Sequence, residues 1–144
     1  MHKQIDKIIQ QIRVYYPDLS DENALTFLEN ATYKQFKNKD VILTSDMSST
    51  HSFLVLKGCA KGSYKDKNDQ EKIVVLVAEG DFGGDSTALF NKQQAKLTFE
   101  CIGKTNVVIF NFYELEAISS KNEELSKLYI QSLKRTIAIL TERI

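Results

Sequence analysis

The chain has 144 residues, the size of one ordinary domain, and a chain of about 150 residues hides roughly two thirds of its unfolded surface on folding. Lys plus Arg and Asp plus Glu both number 19, so a formal charge of zero removes the broad basic footprint of a nucleic-acid-binding surface. Two cysteines, Cys59 and Cys101, with no CxxC spacing and no histidine cluster, exclude a disulfide framework and leave metal, haem and iron-sulfur groups without ligands.

The N-terminal "HKQIDKIIQQIRVYY" places Ile5, Ile8, Ile9 and Ile12 on one helical stripe, and Pro17 predicts a stop near Tyr16. Ser20, followed by Asp21 and Glu22, reads as the cap of a second helix whose buried side is Ala24, Leu25, Phe27 and Leu28. Residues 1–30 are therefore expected to be helical.

From Ala31 the pattern becomes short β-branched and aromatic runs separated by polar turns, as in an all-β sandwich or barrel. Strands are expected at 31–36, 41–43, 52–57, 59–65, 72–78, 96–102 and 106–111. "KDKNDQEK" reads as an exposed hairpin loop, and "GKTN" at 103–106 as a tight one. The longest apolar run, "IVVLVA" at 73–78, is far short of a membrane span, and no signal-peptide block precedes it. A soluble, cytoplasmic protein with no membrane contact is expected.

From about Tyr113 the helical period returns. Ile130, Leu133, Ile137, Leu140 and Ile144 recur at spacings of three and four, a heptad seam with Ile at a and Leu at d that favours a parallel two-stranded coiled coil. Two heptads do not separate this from a helix packed on its own domain. A homodimer through this seam is expected. The helix reaches "TERI" with no Gly, Asn or Pro to stop it, so a further domain is expected beyond Ile144.

The helices, the runs "FLVLKGCAKGSYK", "QEKIVVLVAEGDFGGD" and "KLTFECIGKTNVVIFNFYELEAI", and the long terminal helix together resemble the sensor domain of the Crp/Fnr transcription regulators. The resemblance covers nearly the whole chain. It implies a mostly β double-stranded β-helix (jelly roll or β-roll) of the cyclic-nucleotide-binding type: N-terminal helices at 1–30, the roll at 31–112, and C-terminal helices, including a dimer helix, at 113–144. A Pro-Gly pair often found before the "FLVLKG" type of strand is replaced here by "TSDMSS".

In that family the turn after "GDF" is a phosphate cassette, in which helix N-terminal N–H groups hold the cyclic phosphate, an acid takes the ribose hydroxyl and an arginine pairs with the phosphate. Carried over, the cassette is Gly83, Gly84, Asp85, Ser86 and Thr87, with Asp85 in the acid's place, although a one-residue slip would put Gly84 there. The arginine position falls on Lys96, followed by Leu97 and Thr98, or on Ala95 if the loop is one residue shorter. All three arginines, Arg13, Arg135 and Arg143, lie near the chain ends. Lysine lacks the bidentate fork, and Asp85 is a methylene shorter than the usual Glu.

Against each reading stands a plainer one. Asp85, Ser86 and Thr87 are also what a short helix uses as caps, and Lys96 is also an edge charge. His51 reads as a surface residue, Phe82 and both cysteines as packing. The function implied is a non-enzymatic, effector-sensing dimerisation domain of a Crp/Fnr-like regulator. Cyclic AMP and cyclic GMP are disfavoured as ligands, the effector is unnamed, and DNA would be met only through a winged helix-turn-helix after Ile144. The alternative is a stand-alone cyclic-nucleotide- or small-anion-binding signalling module. A cupin-like metalloenzyme would need clustered histidines that the chain lacks.

Overall fold

The structure is a computed structural model and describes residues 2–142. Helix α1 (His2–Tyr15) is followed by α2 (Asp21–Glu29), then strands β1 (Ala31–Phe36) and β2 (Val41–Leu43), a short 3-10 turn at Met47–Ser49, and the long β3 (His51–Lys65). Next come β4 (Glu71–Val77), β5 (Phe82–Gly83), helix α3 (Ser86–Asn91), the long β6 (Thr98–Asn111), α4 (Phe112–Ser119) and α5 (Glu123–Glu142). Among the described residues no helix is long and apolar enough to cross a membrane.

Every strand pairing is antiparallel. The sheet runs β1-β6-β3-β4, with β2 also on β6 and β5 on β3. The β3–β6 pair is the spine, and its composition follows from having both faces covered. Along β3, Leu54 and Leu56 point into a first core while Phe53 and Val55 point into a second; along β6, Val108 and Phe110 alternate in the same way with Val107 and Ile109. A strand buried on both sides reads as an unbroken apolar run. The first core joins the sheet to α1, α2 and α5, and the second lies inside the roll.

The first core shows why the N-terminal isoleucines are spaced as they are. Ile8, Ile9 and Ile12 are all buried, and each contributes about 1.5–3 kcal/mol relative to exposure. Tyr16 closes the helix against the sheet and donates to the Gly80 carbonyl at 3.0 Å; burial pushes its phenol up to about 12. Helix α2 starts as expected, with the Ser20 hydroxyl accepting from the Asn23 N–H at 3.2 Å. From α5, the Glu124 carboxylate takes the Ser20 N–H and the Asn23 side-chain amide as well.

Two expectations about the strands are corrected. Residues 52–57 and 59–65 form one strand, β3, and 96–102 and 106–111 merge into β6, so "GKTN" is not a hairpin turn. Gly58 at φ 94° and Gly103 at φ 77° both fall in the gap between the Lys57–Asn106 and Cys59–Ile102 pairs, and the register shifts on both sides of Lys57. A left-handed residue in each strand lets the pair bend sharply without ending. The fully buried Thr105 seals the bend by donating to the Cys59 carbonyl at 3.1 Å. The "KDKNDQEK" loop is a hairpin as expected, organised by the Asp66 carboxylate, which accepts from the Asn68 and Gln70 N–H groups at 2.8 and 3.0 Å.

Helix α5 presents two faces. Leu125 is 1 % exposed against the first core, whereas Ile130 and Ile137 are 50 % and 62 % exposed. Leu133 is half-buried and turned towards its own domain. The side chain of Leu140, and Ile144 as a whole, lie outside the described residues.

Candidate functional site: a cassette closed on itself

The segment from Phe82 to Thr98 is built from a two-residue strand, a one-and-a-half-turn helix and a loop that returns to the sheet. Strand β5 pairs with β3 through Phe53 and Leu54. A Cβ on Gly83 would stand 2.4 Å from the Phe53 ring, so only a glycine lets the cassette backbone lie on that face. Phe53 in turn packs edge-to-face on Phe99, centroids 5.1 Å apart, and both rings are fully buried. On the opposite side of the roll, a Cβ on Gly62 would meet Phe99 and Val75 at 2.7 and 2.8 Å. Aromatic rings occupy the space that these glycines leave.

Asp85 is buried, and its carboxylate organises the whole segment. One oxygen, Oδ1, accepts from the Ala88 N–H at 3.2 Å and so caps α3; the other, Oδ2, accepts from the N–H groups of Lys96 and Leu97 at 2.9 and 3.2 Å. The acid thus staples the loop after α3 to the start of that helix. Three main-chain donors point at Asp85 itself.

The remaining cassette residues separate. Gly83 is buried and Gly84 half-buried beside Ser52 and Leu89, while Ser86 and Thr87 are exposed on the first turn of α3. The cap is Asp85, which corrects the reading of Ser86 and Thr87 as caps. The Lys96 side chain is exposed, and its contribution to the cassette is its backbone N–H. Further ties hold the segment in place: the Ala95 N–H donates to the Ser49 hydroxyl at 3.2 Å, and the Tyr113 hydroxyl of α4 donates to the Leu89 carbonyl at 2.9 Å.

An arginine reaches the turn that opens the cassette from a distant part of the chain. Arg135 of α5 places Nε 2.7 Å from Asp81 Oδ1 and donates through Nη2 to the Glu79 carbonyl at 3.1 Å. Its guanidinium also lies 5.2 Å from the centre of the Tyr15 ring. Asp81 is buried, and its second oxygen accepts from the Ala78 N–H at 3.1 Å. This contact locks the "EGD" turn, the terminal helix and α1 together. Arg135 lies near the chain end, 54 residues from Asp81, and comes to this turn because it falls on the inward side of α5, beside Ser132 and Thr136.

Of the other residues singled out, His51 shares a 2.7 Å hydrogen bond with the Thr50 hydroxyl. Cys59 and Cys101 are free thiols, and burial pushes that of Cys101 up. Phe82 packs on Tyr16 and Phe110 in the first core.

Comparison with known proteins agrees with this architecture. No curated protein sequence matches the chain. Among solved structures, the N-terminal domain of a transcriptional regulator from Streptomyces coelicolor superposes with a TM-score of 0.62 at 12 % identity, over 89 % of this chain and 91 % of that one. The Thermus thermophilus catabolite activator protein gives 0.65 at 13 % identity, over 92 % of this chain and 61 % of its own. A cyclic-di-GMP-responsive global regulator of Xanthomonas campestris gives 0.69 at 10 % identity, over 85 % and 60 %. This chain therefore spans about three fifths of the length of the latter two regulators. At such identities the likeness shows the fold: antiparallel β-roll, flanking helices and long terminal helix. The family model of the cyclic nucleotide-binding domain matches residues 33–122, more than half of the sequence, and the chain belongs to that family.

Proposed function

We propose that this domain is the effector-sensing and dimerisation part of a Crp/Fnr-like transcription regulator, and that it has lost the capacity to hold a cyclic nucleotide. The observation that carries the reading is the Asp85 carboxylate, whose two oxygens are taken by three main-chain N–H groups of its own cassette. A ribose hydroxyl would have to compete for these oxygens with three main-chain donors already in place. No arginine of the cassette waits for the phosphate, and a charge-assisted hydrogen bond of that kind contributes about 1.5–3 kcal/mol. Two such losses, about 3–6 kcal/mol together, weaken binding by a factor of roughly a hundred to ten thousand.

The domain acts without catalysis, by changing how α5 is held. The exposed Ile130 and Ile137 lie where a second copy of the helix would pack, with Leu133 at the border of that seam. Leu140 and Ile144 continue its spacing. A winged helix-turn-helix following Ile144 would contact DNA, and the angle between paired α5 helices would set the spacing of the two reading heads.

Calorimetric titration with cyclic AMP and cyclic GMP to millimolar concentration tests the first half, and sedimentation of the wild type and Ile137→Glu tests the second. No saturable heat, a wild-type dimer and a folded Ile137→Glu monomer are expected. Saturable nucleotide binding removed by Asp85→Ala would overturn the loss of nucleotide binding; a wild-type monomer at high concentration would overturn the dimer.

A further inference from the structure

Behind the cassette, away from the roll interior, lies a cavity of about 100 Å³ between α3, α4 and α5. Its walls include the rings of Phe27, Phe82, Phe110 and Phe112 and the side chains of Leu128 and Leu133. The rings are already in edge contact with one another, Phe27 on Phe110 at 5.5 Å and Phe82 on Phe110 at 5.7 Å. Leu89 and Ser86 bring the cassette helix to one side, and α5 forms the other.

The polar groups of the cavity decide what can enter. Ser52, Ser132 and Thr136 reach it with hydroxyls that already donate to the carbonyls of Gly83, Tyr129 and Ser132 at 2.6, 2.7 and 3.0 Å, and Ser86, Ser119 and Tyr129 add neutral hydroxyls at its edges. Among the described residues lining it there is no lysine or arginine, and the one charged side chain is the exposed Glu116. An anion would meet a carboxylate and no counter-charge. A neutral apolar molecule would exchange water for aromatic and leucine side chains at about 25 cal/mol per Å² of surface. An apolar cavity of about 150 Å³ stays dry and takes benzene, so the space of about 100 Å³ here sets a single ring as the upper bound of its occupant.

We propose that this cavity takes an uncharged, apolar molecule about the size of a single aromatic ring, held between the cassette helix and α5. As the effector site it rests on the sensor reading above, because an occupant touching both α3 and α5 would couple the cassette to the helix that the reading assigns to dimerisation. The cavity itself is independent of that reading. Its ligand class is the opposite of a cyclic nucleotide's: neutral where the nucleotide is anionic.

The test is a methyl-detected NMR titration of the full chain with benzene, with benzoate as the same ring carrying a negative charge. Saturable shifts at the Leu89, Leu128 and Leu133 methyls with benzene, and at least tenfold weaker effects with benzoate, are expected. Ser132→Leu, which fills the cavity, should abolish the response; Thr136→Ile provides a second filling variant if the first does not fold. No saturation by benzene up to its solubility, equal affinity for benzoate, or shifts centred elsewhere would overturn the proposal. Sedimentation of the same samples separates the two readings: benzene binding by a monomer supports the cavity while removing the dimer, and a dimer without benzene binding does the reverse.

Discussion

Arg135 Nε and Asp81 Oδ1 lie 2.7 Å apart although one belongs to the terminal helix and the other to the turn that opens the cassette. Asp81 is nearly buried and Arg135 about one third exposed, so the pair sits between a surface bridge, worth 0–1 kcal/mol, and a buried one. Arg135→Gln should destabilise the domain by about 1–2 kcal/mol in urea melts. Arg135→Lys should not restore it, because a single ammonium cannot reach the Asp81 carboxylate and the Glu79 carbonyl as a fork does. Equal stability of the lysine variant and the wild type would mean that the fork contributes nothing.

Asp85 offers a graded experiment. An asparagine keeps one acceptor oxygen and an alanine none, while the wild type serves Ala88 through one oxygen and Lys96 and Leu97 through the other. Asp85→Asn should lose about 1–2 kcal/mol and Asp85→Ala about 2–4 kcal/mol, since buried donors are then left without partners. Native-state hydrogen exchange should accelerate first at the Lys96 and Leu97 amides. Unchanged exchange there in Asp85→Ala would show that the loop is held by other contacts, among them the Ala95 to Ser49 bond.

Glu124 makes the join between α5 and α2 sensitive to acid. The Ser20 N–H, then the Asn23 amide, hold its carboxyl below the usual carboxylate range, against the opposing effect of partial burial. A depressed pKa means that this stabilisation is complete above the unfolded-state value and fades as pH falls through the folded one. Below the ordinary carboxylate range the wild type should therefore converge on Glu124→Gln in thermal melts, and at neutral pH it should exceed it. A constant difference across that range would exclude ionised Glu124 as the stabilising species.

The helices and the strand composition were legible from local pattern because each is dictated by what it must bury. Isoleucines at helical spacing marked α1, and the alternating cores explain the runs in β3 and β6. The bend was not legible, because "GKTN" satisfies the local rules for a turn and only Gly58 in the neighbouring strand turns it into a kink within a continuing strand. Asp85 at the start of a short helix is legible as a cap, and it is one. What no spacing could reveal is that its second oxygen closes the loop at Lys96 and Leu97, 11 and 12 residues away. Leu133 shows the same limit: it stands at heptad spacing in the sequence, yet in the fold it lines the cavity of its own domain.

Gly83 and Gly103 separate steric demand from backbone demand. At Gly83 a methyl group would lie 2.4 Å from Phe53 Cζ and 2.8 Å from Cε1, and that ring is pinned against Phe99, so neither partner can yield cheaply. At Gly103 a methyl group would meet nothing within 4 Å, and the whole penalty is the left-handed φ of 77°. Gly103→Ala should therefore cost about 1–2 kcal/mol with the fold and the cassette unchanged. Gly83→Ala should cost as much or more through overpacking, about 1–3 kcal/mol, and should also shift the cassette off the sheet. Methyl and amide NMR of the two variants distinguishes the mechanisms: changes spreading from Phe53 to Asp85 in the first, and changes confined to the Gly58–Gly103 bend in the second. If Gly83→Ala left the Asp85 neighbourhood undisturbed, the close approach of β5 to Phe53 would not be what positions the cassette.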